Sequence, residues 1–208
     1  MPDLEPEPAA ALAAFGERIE PARAFVSALA ARGELLGLIG PLELPRLWTR
    51  HVLNSALVAP LLRPGLVGDV GSGAGLPGLV LAIARPDVQF ALIEPMERRT
   101  DWLQSQVGEL GLDNVVVERA RAEESSYRGR LDQVTARAVS ALKTLIPVVV
   151  PLLRAGGELV LLKGARVDAE REAAAKQIAR AKLSAVEVLE LTAPGIQEST
   201  RVFRATVG

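Results

Sequence analysis

From residue 66 onward the chain alternates short β-branched runs with helical stretches, and that alternation leaves few folds open. The runs are LVGDV (66–70), QFALIE (89–94), NVVVER (114–119), LDQVTARAV (131–139) and GELVLLK (157–163). Stretches of helical character follow them at 76–85, 96–110, 141–154 and 168–182. A strand, a crossover helix and a second strand build a parallel pair, and helices then cover both faces of the sheet. The end of the chain breaks this rhythm. LSAVEVLEL (183–191) and RVFRATV (201–207) are separated only by the turn-rich TAPGIQEST, so they pair as an antiparallel hairpin at the sheet edge. The expectation is an α/β fold with a mostly parallel, seven-stranded sheet and a terminal antiparallel hairpin.

The first 64 residues read differently. AAALAAFGERIEPARAFVSALAARG (9–33) reads as one helix, with Leu12, Phe15 and Ile19 recurring at spacings of three and four and Gly33 ending it. A second helix starts near Pro45 and runs through RLWTRHVLNSALVAPLL to Pro64-Gly65. Residues 1–64 are therefore expected as a helical appendage to a core of residues 65–208, the two forming one compact unit.

Composition removes several functions. The 208 residues are 49% apolar, enough for one sizeable core, and include no cysteine. Disulfide staples, thiolate metal ligands and cysteine nucleophiles are excluded, and no metal site is expected. The start MPDLEPEPAAALAAF is acidic where a secretory signal needs a basic one, and no apolar run is long enough to span a bilayer. A soluble, cytoplasmic protein without a membrane partner is expected. Net charge is −1, so no overall basic field marks a nucleic-acid binder. Yet six of the acids and only three of the bases fall in residues 1–40, which leaves the rest slightly basic. Two Trp, one Tyr and four Phe are too few for an extended base-stacking platform.

Between the first strand and the first core helix stands Asp69-Val70-Gly71-Ser72-Gly73-Ala74-Gly75-Leu76. Bare backbone at this place lets a ligand approach main-chain N–H groups. A dinucleotide fingerprint needs a further small residue where Leu76 stands, and a phosphate-cradling loop needs a lysine followed by a hydroxyl, which LPGL does not supply. What remains, Asp-x-Gly-x-Gly-x-Gly within repeated βα units closed by a hairpin, resembles class I methyltransferases that use S-adenosyl-L-methionine, on a Rossmann-like sheet. In that resemblance Asp69 lies near the ligand's cationic end, and Gly71, Ser72, Gly73 and Gly75 pack against its methionine part. Glu94, ending the second strand, accepts hydrogen bonds from the ribose hydroxyls. Ala122 and Glu123, in ERARAEE after the third strand, sit at the adenine edge.

Four stretches in order, LWTRHVLNSA, DVGSGAGLPGLVLAIARP, VTARAVS and LLKG, span residues 47–164 and carry a narrower resemblance. They are similar to the ribosomal RNA small subunit methyltransferase G family, once called glucose-inhibited division protein B. The resemblance implies methylation of guanine N7 in a decoding-region loop of 16S rRNA. It implies that Gly71 and Leu76 line the cofactor pocket, Ala122 and Glu123 the adenine edge and Arg137 the cofactor's far side. The partner implied is 16S rRNA or the small ribosomal subunit, an assembly intermediate included, met by a monomer. The chain departs from many relatives in RGELLGLIGPLELPRLW, which lacks the usual Asn-Leu-Thr, and at Asn54-Ser55, where Asp-Ser is common.

The chemistry suits the residues. Guanine N7 has an in-plane lone pair and no proton, so its methylation needs alignment more than a base. Exocyclic amines are held by an Asn/Asp-Pro-Pro-aromatic motif after the fourth strand, where this chain has TARAVS, and pyrimidine C5 chemistry needs a cysteine. No catalytic residue is assigned outright. Substrate-positioning candidates are Arg137, Lys163, Arg201 and His51, the only histidine. His51 reads either as a hydrogen-bonded helix residue or as a contact to cofactor or RNA, Arg137 as a strand-end ion pair or a site residue, and Lys163 as a solvated lysine or a phosphate contact. Two rivals stay open: a small-molecule methyltransferase of the same fold, which needs a lidded, aromatic-lined acceptor pocket, and a catalytically idle nucleotide-binding module.

Overall fold

The computed structural model describes residues 3–40, 42–194, 196 and 198–208. In chain order the helices are α1 (Ala10–Phe15), α2 (Ile19–Arg32), α3 (Asn54–Ala56), α4 (Gly78–Ala84), α5 (Glu97–Glu109), α6 (Leu142–Val149), α7 (Val167–Ala173) and α8 (Ala175–Arg180). The strands are β1 (Leu66–Val70), β2 (Gln89–Ile93), β3 (Val115–Glu118), β4 (Leu131–Arg137), β5 (Leu153–Lys163), β6 (Leu183–Leu191) and β7 (Thr200–Val207). They form one seven-stranded sheet in the order β3-β2-β1-β4-β5-β7-β6. The pairs among β1 to β5 are parallel, and β7 runs antiparallel to both β5 and β6.

Alternation along the strands sends side chains to two cores. Val67, Phe90, Leu92, Val160 and Leu162 join the cluster on one face, while Val70, Ile93, Leu159, Leu161 and Phe203 join the cluster on the other. α6, α7 and α8 cover the second face. On the first, α4 is buried from Gly78 through Ile83. A helix that is apolar all round must be covered on its outer side as well as against the sheet. That cover is the N-terminal segment: Phe25, Leu29, Leu47 and Leu53 lie in the same cluster as Leu79, Leu81 and Trp102. Each such side chain contributes about 1.5–3 kcal/mol on burial.

Several local expectations change: β5 begins at Leu153, inside the stretch expected as helix, and the last helical stretch divides into α7 and α8. The N-terminal helix is not continuous: Gly16, at φ 50, ends α1, and a 3₁₀ turn Gly16–Arg18 leads into α2. Leu12 is consequently 59% exposed, and the buried stripe runs instead through Ala11, Phe15, Ile19 and Ala22. The second helix is helical but irregular. A 3₁₀ turn Leu44–Arg46 leads into a π-helical segment Leu47–Leu53, then α3, then a second 3₁₀ turn Ala59–Leu61. β4 ends at Arg137 rather than Val139, because Ala138 turns the chain with φ 55. Among the described residues no helix is long and apolar enough to cross a membrane.

Candidate active site

The sheet order reverses at β1, which lies between β2 and β4, and the crevice beyond the carboxyl ends of these strands is where open α/β sheets hold ligands. The glycine loop opens there. Gly73 has φ 54, and a Cβ added to it would meet nothing closer than a carbonyl oxygen at 3.7 Å, so this backbone faces open space. Asp69 is completely buried beneath the loop. Its Oδ2 accepts the Gly78 N–H at 3.1 Å and its Oδ1 the Thr135 hydroxyl at 3.0 Å. The carboxylate thus ties loop, β4 and the start of α4 together, and burial pushes its pKa up to about 6. Glu94, 2% exposed, accepts the Gly73 N–H at 3.0 Å and the Met96 N–H at 3.0 Å.

Two hollows flank this arrangement. One, of about 290 Å³, lies against Gly71, Ser72, Gly73, Ala74 and Leu76, with Leu38, Ile39, Gly40, Glu43 and Arg99 on its other walls. The second, about 600 Å³, is bounded by Arg50, Asn54, Val139, Ser140, Lys163, Glu170 and Glu198 among others. His51, Arg137 and Ala138 line both. They form the partition between a space against the glycine loop and a larger cleft beside it.

The partition is hydrogen-bonded. Arg137, whose guanidinium burial pushes down to about 10, donates from Nη2 to His51 Nδ1 at 3.0 Å. His51 Nε2 lies 2.6 Å from Glu43 Oε2, and Glu43 also accepts from Arg46 at 2.8 Å. Burial lowers the His51 pKa below its ordinary value, against the pull of Glu43. Across the cleft, Lys163 donates to the Ser140 carbonyl at 2.7 Å and pairs with Glu170 at 2.7 Å; its side chain is 9% exposed. This lysine braces the β4–α6 turn against α7, and it borders the larger hollow.

The structure therefore sets Gly71, Ser72, Gly73 and Leu76 on the smaller hollow, Lys163 on the larger, and His51 and Arg137 on both. Gly75 turns the loop with φ 93 and does not line either hollow; Asp69 and Glu94 support the loop from below. Ala122 is buried and Glu123 exposed in a 3₁₀ turn Ala122–Glu124 beyond β3, outside both linings. Arg201 also lies outside them: on β7 opposite Lys163, its guanidinium is 3.5 Å from Asp168 and 3.7 Å from Glu190. Sequence reading missed Glu43, Asn54, Ser140, Glu170 and Glu198. Asn54 and Ser140 stand inside the quoted stretches LWTRHVLNSA and VTARAVS without having been singled out as site residues, Glu170 and Glu198 stand in no motif, and only its acidic character within an otherwise apolar loop could have flagged Glu43.

Solved structures place the architecture. A SAM-dependent methyltransferase from Aquifex aeolicus superposes with a TM-score of 0.60 at 18% identity, covering 85% of this chain and 98% of that one. A SAM-dependent O-methyltransferase from Thermotoga maritima superposes with a TM-score of 0.57 at 19% identity, covering 74% and 64%. The fold is that of class I methyltransferases, with its glycine loop at the sheet's switch point. A profile of the family described as rRNA small subunit methyltransferase G matches residues 18–200, and the chain belongs to that family. Relatives named ribosomal RNA small subunit methyltransferase G are 64% identical over 204 residues in Clavibacter michiganensis, covering 98% of this chain and 97% of the relative, and 48% identical over 194 residues in Thermobifida fusca, covering 93% and 82%.

Proposed function

We propose that the chain transfers the methyl group of S-adenosyl-L-methionine to N7 of a guanine in a decoding-region loop of 16S rRNA, acting as a cytoplasmic monomer. Its partner is 16S rRNA, free or within the small ribosomal subunit or an assembly intermediate. The observation that carries this reading is the partition His51–Arg137–Ala138, which a hollow against the glycine loop and a larger cleft share.

The residues present fit the cofactor. When bound, it supplies an electrophilic methyl group on a sulfonium centre. The Gly71–Ala74 backbone offers close approach to its methionine part. The buried Nε of Arg99, a residue bordering the smaller hollow, is a donor with no partner among the described residues, which suits a carboxylate. Glu94 has about four lone-pair positions, of which Gly73 and Met96 occupy two, leaving acceptors for a ribose diol. Ala122 and Glu123 would hold the adenine edge.

The acceptor side suits a base presented on RNA. Arg50, Arg137 and Lys163 border the cleft, and no Phe, Tyr or Trp does so among its described lining residues, which speaks against a lidded, aromatic-lined small-molecule pocket. The buried Oδ1 of Asn54, on the same wall, has no donor among the described residues and suits a base N–H. Methylation at N7 would leave the purine cationic, and Glu170 and Glu198 border the space that would hold it. No proton is removed, so no general base is required of this site.

The test is to incubate the protein with labelled S-adenosyl-L-methionine and 16S rRNA or small subunits, then map the label by mass analysis. Label on a single guanine at N7 is expected. Label on the exocyclic amine would overturn the position, and cofactor binding without transfer to any rRNA would favour the idle module.

A further inference from the structure

We propose that Glu43 and His51 are positioning residues: together they hold the Arg137 guanidinium in the partition, aimed at the space where cofactor and base meet. The role assigned to that space rests on the function proposed above.

The argument starts from Arg137. Among the described residues no carboxylate lies within ion-pair distance of its guanidinium, and its one side-chain partner is His51. A guanidinium is a donor only, so His51 Nδ1 must be the acceptor and the ring proton must sit on Nε2. Nε2 is the atom that faces Glu43 Oε2 at 2.6 Å. Glu43 therefore selects the tautomer, and the tautomer orients the arginine. One of five guanidinium donors is used, which leaves the others for groups entering either hollow.

The backbone explains why these residues meet. In the π-helical segment Leu47–Leu53 the turns are wider than in an α-helix, and Leu47, Trp48, Val52 and Leu53 are all buried, which anchors the segment to the core. π-helical turns concentrate at functional sites. The anchoring leaves His51 on the rim between Glu43, eight residues before it, and Arg137, 86 residues after it. Arg46 braces Glu43 from the same stretch, and Ser55 donates its hydroxyl to the His51 carbonyl at 2.7 Å.

Protonated His51 would carry N–H on both ring nitrogens. Nδ1 would then face the guanidinium donor to donor and cation to cation. The charged groups around the ring are Glu43, Arg46 and Arg50 from the preceding stretch, Arg137 from β4 and, beyond Arg137, Asp69 from β1; Glu198 approaches Arg50 at 3.7 Å. Burial and two neighbouring arginines keep the ring neutral where an ordinary histidine would begin to charge.

Because the chain has one histidine, imidazole ¹⁵N NMR reads it without ambiguity. The unliganded protein should show the Nε2–H tautomer, titrating below the ordinary histidine range; an Nδ1–H tautomer, or titration at or above that range, overturns the proposal. A mutant cycle supplies the second test. His51→Leu should lower affinity for S-adenosyl-L-methionine or kcat by about 10–100-fold, the usual cost of a misplaced site group, while His51→Gln, whose amide both accepts and donates, stays within about threefold of wild type. In an Arg137→Ala background His51→Leu should add nothing further. Additive losses would mean that His51 does not act through Arg137. Far-UV circular dichroism and thermal midpoints report folding of each variant. A wild-type protein that binds the cofactor but methylates no rRNA would sink the proposed function, while the cycle in cofactor affinity still decides the positioning role. Failure of wild type to bind the cofactor at all would overturn both.

Discussion

The Glu94 carboxylate at the end of β2 accepts the backbone N–H of Gly73 at 3.0 Å, so two residues 21 positions apart close the glycine loop from below. The same carboxylate accepts from Met96 at the start of the next helical turn. It therefore determines the shape of the loop before any ligand arrives. We predict that Glu94→Ala costs about 1–3 kcal/mol of stability, because two part-buried N–H groups lose a charged acceptor, and weakens S-adenosyl-L-methionine binding beyond that. Urea unfolding and calorimetry check the pair. A variant with wild-type cofactor affinity would show that the loop keeps its shape unaided.

Gly73 itself tests whether bare backbone meets the ligand. A side chain there enters open space, so Gly73→Asp should fold, with only the modest strain of a positive φ. It adds a negative charge beside Glu94 and fills the face of the loop. Loss of measurable cofactor binding, with the circular dichroism spectrum retained, is the expected result. Unchanged affinity by calorimetry would count against the site.

Lys163 belongs to one hollow alone. It borders the larger one and not the smaller, and it neutralises Glu170 while holding the Ser140 carbonyl. Lys163→Gln should raise the KM for rRNA by about 10-fold, the cost of one lost charge contact and one unpaired acid, and leave affinity for S-adenosyl-L-methionine near wild type. An equal loss in both would place the lysine in the cofactor site instead.

Asp69 predicts a pH dependence with a definite sign. Its folded pKa, about 6, lies above the ordinary 3.8, so between those values the folded state holds more proton than the unfolded chain. The contribution of this group to stability is present in full below about pH 4 and is lost as pH rises through 6. Acids held low by partners, such as Glu109 at about 2 beside Arg32, slope the opposite way at lower pH. The difference between wild type and Asp69→Asn isolates the term. The variant should gain stability relative to wild type as pH rises from 4 to 7, measured by urea unfolding at each pH. A flat difference would show that Asp69 titrates normally.

Much of this protein can be read along the chain. Strand and helix periodicities distinguish βα units from a hairpin using neighbours alone, so the sheet, its mostly parallel sense and its antiparallel end follow from local pattern. The glycine loop is equally local, since φ above zero and close backbone approach are properties of the glycines themselves. Glu94 and Arg137 were legible because each ends a strand, and strand ends converge on one edge of a parallel sheet. The amphipathic stripe of the first helix was less secure: alanine buries almost as readily as leucine, and the break at Gly16 rotated Leu12 to solvent.

What tertiary structure alone decided is which polar groups meet. Lys163 reads in sequence either as a phosphate contact or as a solvated lysine, and the structure excludes the solvated one: its side chain is nine-tenths buried against Glu170 of α7. Glu43, His51 and Arg137 belong to a loop, a π-helical turn and a strand end, and nothing in their spacing brings them together. Periodicity records where a side chain must avoid water, so it survives in sequence. A hydrogen bond between residues 86 apart depends on the packed positions of both elements, and only the folded chain supplies those.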